Sequence, residues 1–280
     1  MKQQGRPSTG PGKNKNDTAM TLAKGFSVGA TMLVPGVSGG SMAMILNIYD
    51  RLISAVSSFL KHKRESLLFL GLFCFGACAG MIIVARPLLK LLQLYPQPVM
   101  FFFIGAVAGG IPMIYRKARG RGVTWKSFVY PALGFALVMS LAFLPEGLFA
   151  ADPGDGPAAW ALLFTAGLAG AAALVLPGIS ISYLLLLLGM YDETMYAIGH
   201  LYLPYLLPLG AGLLLGTLLC ARALEKAMDR YPQPTYLIIL GFILGSLVQV
   251  FPGFPAGPAS WAVCLLTLIL GYAAIRAITR

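Results

Sequence analysis

Apolar residues fall in ten runs parted by short polar or turn-forming stretches. They lie at about residues 19 to 34, 38 to 56, 67 to 90, 98 to 115 and 127 to 145, then 159 to 176, 179 to 198, 203 to 225, 235 to 251 and 259 to 278. Most reach the ~20 residues that a helix needs to cross the hydrocarbon of a bilayer. The pattern predicts an all-α polytopic membrane protein. Two of the breaks carry no hydrophilic loop, only Pro35-Gly36 and Pro177-Gly178 inside apolar sequence. The runs flanking each Pro-Gly therefore read as a helical hairpin, expected to re-enter and leave on the face it came from.

The same polar punctuation occurs twice. Pro35-Gly36-Val37-Ser38 leads to Tyr49-Asp50 as Pro177-Gly178-Ile179-Ser180 leads to Tyr191-Asp192, and Arg86 and Lys90 before Tyr95-Pro96-Gln97-Pro98 recur as Arg222 and Lys226 before Tyr231-Pro232-Gln233-Pro234. Gly76 and Gly80 match Gly212 and Gly216, and Gly105 and Gly109 match Gly241 and Gly245. The offset between the copies changes, by six residues, only around Lys61 to Ser66. The chain thus divides into a tail at 1–18 that reads as disordered, a first membrane repeat at 19–145, an external linker at 146–158 and a second repeat at 159–280. Each repeat holds one hairpin and three transmembrane helices. That is an odd number of net crossings, so the second repeat is expected to be inverted relative to the first.

Composition sharpens the class. With 58% hydrophobic and 11% charged residues and a mean hydropathy of +0.77, the chain falls outside ordinary soluble composition. The net charge of +11 gathers in the N-terminal tail, at Lys61 to Arg64, at Arg116 to Lys126, at Lys226 to Arg230 and at the C-terminus. The loops between them hold no Lys or Arg and include Glu146, Asp152 and Asp155. By the positive-inside bias both termini are cytoplasmic. The basic excess is then topology, with no separate basic stripe for nucleic acid. Trp125, Trp160 and Trp261 stand at segment starts, as interfacial anchors do.

Candidate chemistry centres on the two Pro-Gly tips. Gly36, Ser38, Gly39, Gly40 and Ser41 in the first hairpin, and Gly178, Ser180 and Ser182 in the second, leave backbone N–H groups approachable at a helix start and add hydroxyls, the makings of an anion cradle. The plainer reading is close helix packing by small residues. Arg86 and Arg222 each lie in an apolar run, where an arginine costs about 2.5 to 3.5 kcal/mol on insertion scales. They either grip a phosphate through their guanidinium forks or snorkel to the headgroups. Asp50 and Asp192 are candidates for ion pairing or proton coupling, or simply mark helix ends. Asn47 has no polar counterpart, since Gly189 takes its place. Cys74, Cys78, Cys220 and Cys264 read as core residues and Gly76, Gly80, Gly212 and Gly216 as packing contacts. With two histidines in the chain, no metal site is expected. No catalytic residue, cofactor or ATP-binding loop emerges.

At the segments VPGVSGGSMAMILNIYDRLI (34–53) and LPGISISYLLLLLGMYDETMYAI (176–198) the sequence resembles the bacterial polyprenyl-phosphate transporter family, with likeness from about Thr21 to Arg276. Ser41 stands where that family usually has threonine, and Ile181 where it has glycine. The resemblance implies a flippase in the bacterial inner membrane, not an enzyme. It would return undecaprenyl phosphate, the lipid carrier of cell-wall precursors, to the inner leaflet, with the hairpin residues and both arginines holding the phosphate. The expected partners are that lipid and the surrounding membrane lipids, with no nucleic acid; a homodimer is left open. The alternative is a transporter of a small soluble anion. An undecaprenyl-diphosphate phosphatase fits less well, because Gly39 and Ile181 occupy the place of its motif arginine and paired glutamates are missing.

Overall fold

The computed structural model describes residues 15–34, 37–118, 126–145 and 156–279. Twelve helices lie within them: α1 (Lys15–Thr31), α2 (Gly39–Ile45), α3 (Tyr49–Ser57), α4 (Lys63–Leu94), α5 (Pro96–Ala118), α6 (Lys126–Ala142), α7 (Pro157–Val175), α8 (Ile181–Leu187), α9 (Tyr191–Gly199), α10 (Leu203–Arg230), α11 (Pro232–Val250) and α12 (Pro258–Ile278). Helices α4, α5, α7, α10, α11 and α12 are long and apolar enough to cross a bilayer. The chain is a multi-pass membrane protein. Large apolar side chains such as Phe75, Ile82 and Leu214 point outward from these spans, as they must where the solvent is lipid.

The run expected as one helix at 38 to 56 is two, α2 and α3, and its counterpart is α8 and α9. The cause is a left-handed residue at the same place in each: Asn47 with φ 54° and Gly189 with φ 68°. At both breaks the same pair of bonds closes the first helix. The N–H of Asn47 donates to Met44 and that of Ile48 to Ala43; those of Gly189 and Met190 donate to Leu186 and Leu185. This is a Schellman stop, and glycine and asparagine are the residues that tolerate it. Asn47 and Gly189 therefore do correspond, in conformation rather than in side-chain chemistry.

Four tight helix pairs build the frame. α1 lies on α4 and α7 on α10, each within one half of the chain; α5 lies on α12 and α6 on α11, each across the halves. The last helices of the two halves are thus exchanged, and α5 also meets α11 at the centre. Glycines line all four seams. A Cβ at Gly80 would sit 2.1 Å from the Phe26 carbonyl oxygen, and one at Gly271 2.0 Å from that of Phe102. Only bare backbone allows such approach, which confirms the packing reading of Gly76, Gly80, Gly212 and Gly216.

Candidate functional site between the hairpin tips

The start of α2 meets the second Pro-Gly turn. A Cβ on Gly40 would lie 3.2 Å from the Cα of Pro177, which puts the start of α2 against the turn between α7 and α8. Gly178 makes that turn with φ +88°, and its backbone lies so close to α11 that a Cβ would come within 2.5 Å of the Phe242 carbonyl oxygen. Proline cannot continue the helix hydrogen bonding, and glycine supplies the positive φ that the reversal needs. Pro35 and Gly36 lie outside the described residues.

Around this contact the expected hydroxyls take different states. Ser41 is 2% exposed and its hydroxyl has no partner among the described residues. A buried orphan hydroxyl costs on the order of 1–3 kcal/mol, so its presence beside the tip wants a reason. Ser38 opens α2 without a side-chain cap, whereas the Ser180 hydroxyl accepts from the Tyr183 N–H at 3.4 Å. Ser182 is exposed, and Met32 sits over Gly39. Tyr49, at the start of α3, donates its hydroxyl to the Val175 carbonyl at 2.6 Å, meeting one of the acceptors freed where α7 stops. Tyr49 was passed over in the sequence reading, although the Tyr-Asp pair that recurs in both halves was visible.

The charged candidates stand away from the tips. The Asp50 carboxylate pairs with Lys117 Nζ at 2.5 Å, while its Oδ1 is buried without a partner. Lys117 also faces the ring of Tyr236, 5.7 Å from its centroid. Asp192 is exposed and, with Glu193, Trp160, Tyr196, Tyr202 and Tyr205, lines a cavity of about 470 Å³ beside the start of α10. Arg222 donates its Nε to the carbonyl of Ser57, the last residue of α3, at 3.2 Å. That places a cation at a helix C-terminus, where the dipole favours it. The Ser57 hydroxyl donates to Glu225. Arg86 is exposed on α4 with no partner among the described residues. The structure brings the start of α2 against the Pro177-Gly178 turn and holds Arg222 at the C-terminal end of α3.

A second cavity, of about 760 Å³, opens at that end of α10 between Ser57, Ser58, Lys61, Arg222, Glu225, Lys226, Asp229 and Arg230.

The halves differ in how their hairpins are seated. α3 packs on α10 and α2 on α5, but neither α9 with α4 nor α8 with α11 forms the corresponding packed pair. In the first hairpin every residue from Ser41 to Leu46 is buried, while the second exposes Ser182 and half-exposes its neighbours. One hairpin is docked and its copy is loose.

Residues 28–257, well over half of the chain, match the model of the VCA0040-like family, described as undecaprenyl phosphate translocase-like. The chain belongs to this family. Its curated relatives include the polyprenyl-phosphate transporter of Staphylococcus aureus, 31% identical over 90% of this chain and 93% of the relative. The polyprenyl-phosphate transporter of Vibrio cholerae is 29% identical over 83% and 77% respectively. No solved structure matches the chain.

Proposed function

We propose that this protein carries undecaprenyl phosphate across the bacterial cytoplasmic membrane, returning the lipid carrier for cell-wall synthesis, and that it is not an enzyme. The observation that carries the reading is the contact of Gly40 with Pro177, which sets the start of the first hairpin's inner helix, α2, against the Pro177-Gly178 turn of the second in a member of this family. A lipid phosphate keeps its tail in the bilayer while its anionic head crosses, and an unpaired anion in hydrocarbon is prohibitive. In our reading the head is received by Gly36, Ser38, Gly39, Gly40, Ser41, Gly178, Ser180 and Ser182. Their approachable N–H groups and the spare Ser41 hydroxyl replace its water. Arg86 and Arg222 meet the phosphate on its way in and out. Asp50, tied to Lys117, serves as an ion pair, and Asp192 is the carboxylate left for proton exchange.

The proposed topology has both termini in the cytoplasm and inverted repeats at 19–145 and 159–280, with re-entrant hairpins. The docked first hairpin then closes the cytoplasmic side while the loose second one leaves the outer side open. Exchange of those two states moves the cradle's access from one face to the other.

The test is translocation in sealed proteoliposomes holding undecaprenyl phosphate, following the fraction of headgroups reachable from outside. The wild-type protein should equilibrate the leaflets faster than empty vesicles, and the Arg86→Ala, Arg222→Ala double variant, inserted normally, should fall to the empty-vesicle rate. No acceleration by the wild-type protein, with inorganic phosphate carried instead, would turn the reading to a small-anion transporter.

A further inference from the structure

The face of α10 that lines the larger cavity is patterned. Arg222, Glu225, Lys226, Asp229 and Arg230 follow the spacing i, i+3, i+4, i+7, i+8, which puts all five on one side of the helix. Lys61 closes the cavity from the turn after α3. The repeat did not supply this pattern. In the first half Arg86 and Lys90 match Arg222 and Lys226, but Leu89, Gln93 and Leu94 stand where Glu225, Asp229 and Arg230 do. Among the described residues, the cations on α10 thus gather around a cavity at its C-terminal end. At the other end of the same helix the cavity is lined by Asp192, Glu193 and aromatic rings, with no cation.

The cations in the larger cavity are not neutralised by ion pairing, although Arg230 lies over the Tyr231 ring at 5.8 Å. Four of them face two carboxylates, yet among the described residues none of the four makes an ion pair within bonding distance; the pair found is Lys117 with Asp50. Arg222 uses Nε on the Ser57 carbonyl, which leaves both terminal nitrogens of its fork. The serines are occupied, Ser57 donating to Glu225 and Ser58 to the Ser54 carbonyl at 2.6 Å. Recognition would rest on the cations alone. Leu215 and Leu219, exposed two turns and one turn before Arg222, extend an apolar stripe from the spanning part of α10 up to the charged face.

We infer that the cavity at the C-terminal end of α10 binds a phosphate monoester dianion through Lys61, Arg222, Lys226 and Arg230. The ligand is the head of a prenyl phosphate with its tail along Leu215 and Leu219, or free phosphate. Glu225 and Asp229 hold the net charge of the cavity low, so the anion is held and released rather than trapped. The choice of ligand rests on the lipid-phosphate reading above; the site itself rests on the cavity. If that reading is right, the headgroup waits here at the cytoplasmic end of its path, where the reactions that consume it, transfers of a phosphosugar onto the lipid phosphate, can take it.

The experiment measures binding of geranyl phosphate and of inorganic phosphate to the full chain in nanodiscs by isothermal titration. The wild-type protein, the Lys226→Gln, Arg230→Gln double variant and the Asp229→Asn variant are compared. The double variant should bind at least tenfold more weakly and Asp229→Asn two- to fivefold more tightly, with the wild-type affinity falling as salt rises. Tightening by Asp229→Asn separates an electrostatic site from damage to the fold. Binding of geranyl phosphate without competition by inorganic phosphate assigns the site to the lipid; equal competition assigns it to the bare anion. Unchanged affinity in either variant, or no binding of either anion, overturns the inference. A wild-type protein that binds as expected but fails to translocate would overturn the transport reading and leave the cavity site standing.

Discussion

At the residue scale, conformation explains several positions that side-chain chemistry does not. Asn47 looked unmatched in the second half because Gly189 is apolar, yet both hold the left-handed turn that ends the first hairpin helix. Asn47→Gly should leave stability within a few tenths of a kcal/mol. Asn47→Val should cost roughly 1–2 kcal/mol, because a β-branched residue resists that conformation. Thermal unfolding of the detergent-solubilised variants checks both, and a Val variant as stable as wild type would remove the strain argument. The Ser41 hydroxyl poses the opposite problem, a polar group buried at a cost with no hydrogen-bond partner among the described residues. Its neighbour Gly40 was legible as a small residue beside Pro-Gly, but its contact with Pro177 was not, since 137 residues separate them in the chain.

Helix by helix, the sequence was most readable where periodicity and glycine spacing coincide. The predicted spans at 67 to 90, 203 to 225 and 259 to 278 lie inside α4, α10 and α12, and the glycines of α4 and α10 take the packing role expected of them. Their partners could not be read. Glycine spacing says that another backbone comes close but not which one, and the exchange of α5 and α6 against α12 and α11 follows from tertiary fit alone. Gly80→Leu should force α4 off α1, because the added side chain meets the Phe26 backbone. A loss of about 1–3 kcal/mol is expected, as in other overpacked contacts. Gly71→Leu, on the same helix with open space around it, should be silent. Comparing melting temperatures of the two variants is the check, and equal losses would mean that the α1–α4 seam does not govern stability.

For the molecule as a whole, the informative fact is inequality between equivalent parts. Arg222 and Glu225 tie down the end of α3, while the equivalent places beside α9, Arg86 and Leu89, do not. Two states related by exchange of these contacts would be a natural cycle for a repeat protein. In a background with Cys74, Cys78, Cys220 and Cys264 replaced by alanine, Ser57→Cys with Glu225→Cys should form a disulfide readily and halt translocation until reduced. The mirrored pair, Leu89→Cys with Gly199→Cys, should cross-link slowly, as molecules visit the opposite arrangement. Ongoing transport by the fully cross-linked first pair would show that α3 need not leave α10.

The class of the protein was set by the sequence alone. Apolar runs of bilayer length leave helices as the available structure, and Pro-Gly in apolar sequence marks where those helices must break. Family membership was legible for the same reason, because its motifs sit at those breaks. The tertiary structure decided the rest: that the start of α2 touches the Pro177-Gly178 turn, that the last helices of each half are exchanged, that one hairpin is docked and its copy loose, and that one helix face closes a basic cavity. These depend on contacts between residues far apart in the chain. Local propensity carries no information about them, and the two copies pack differently where their sequences differ, as at Glu225 against Leu89.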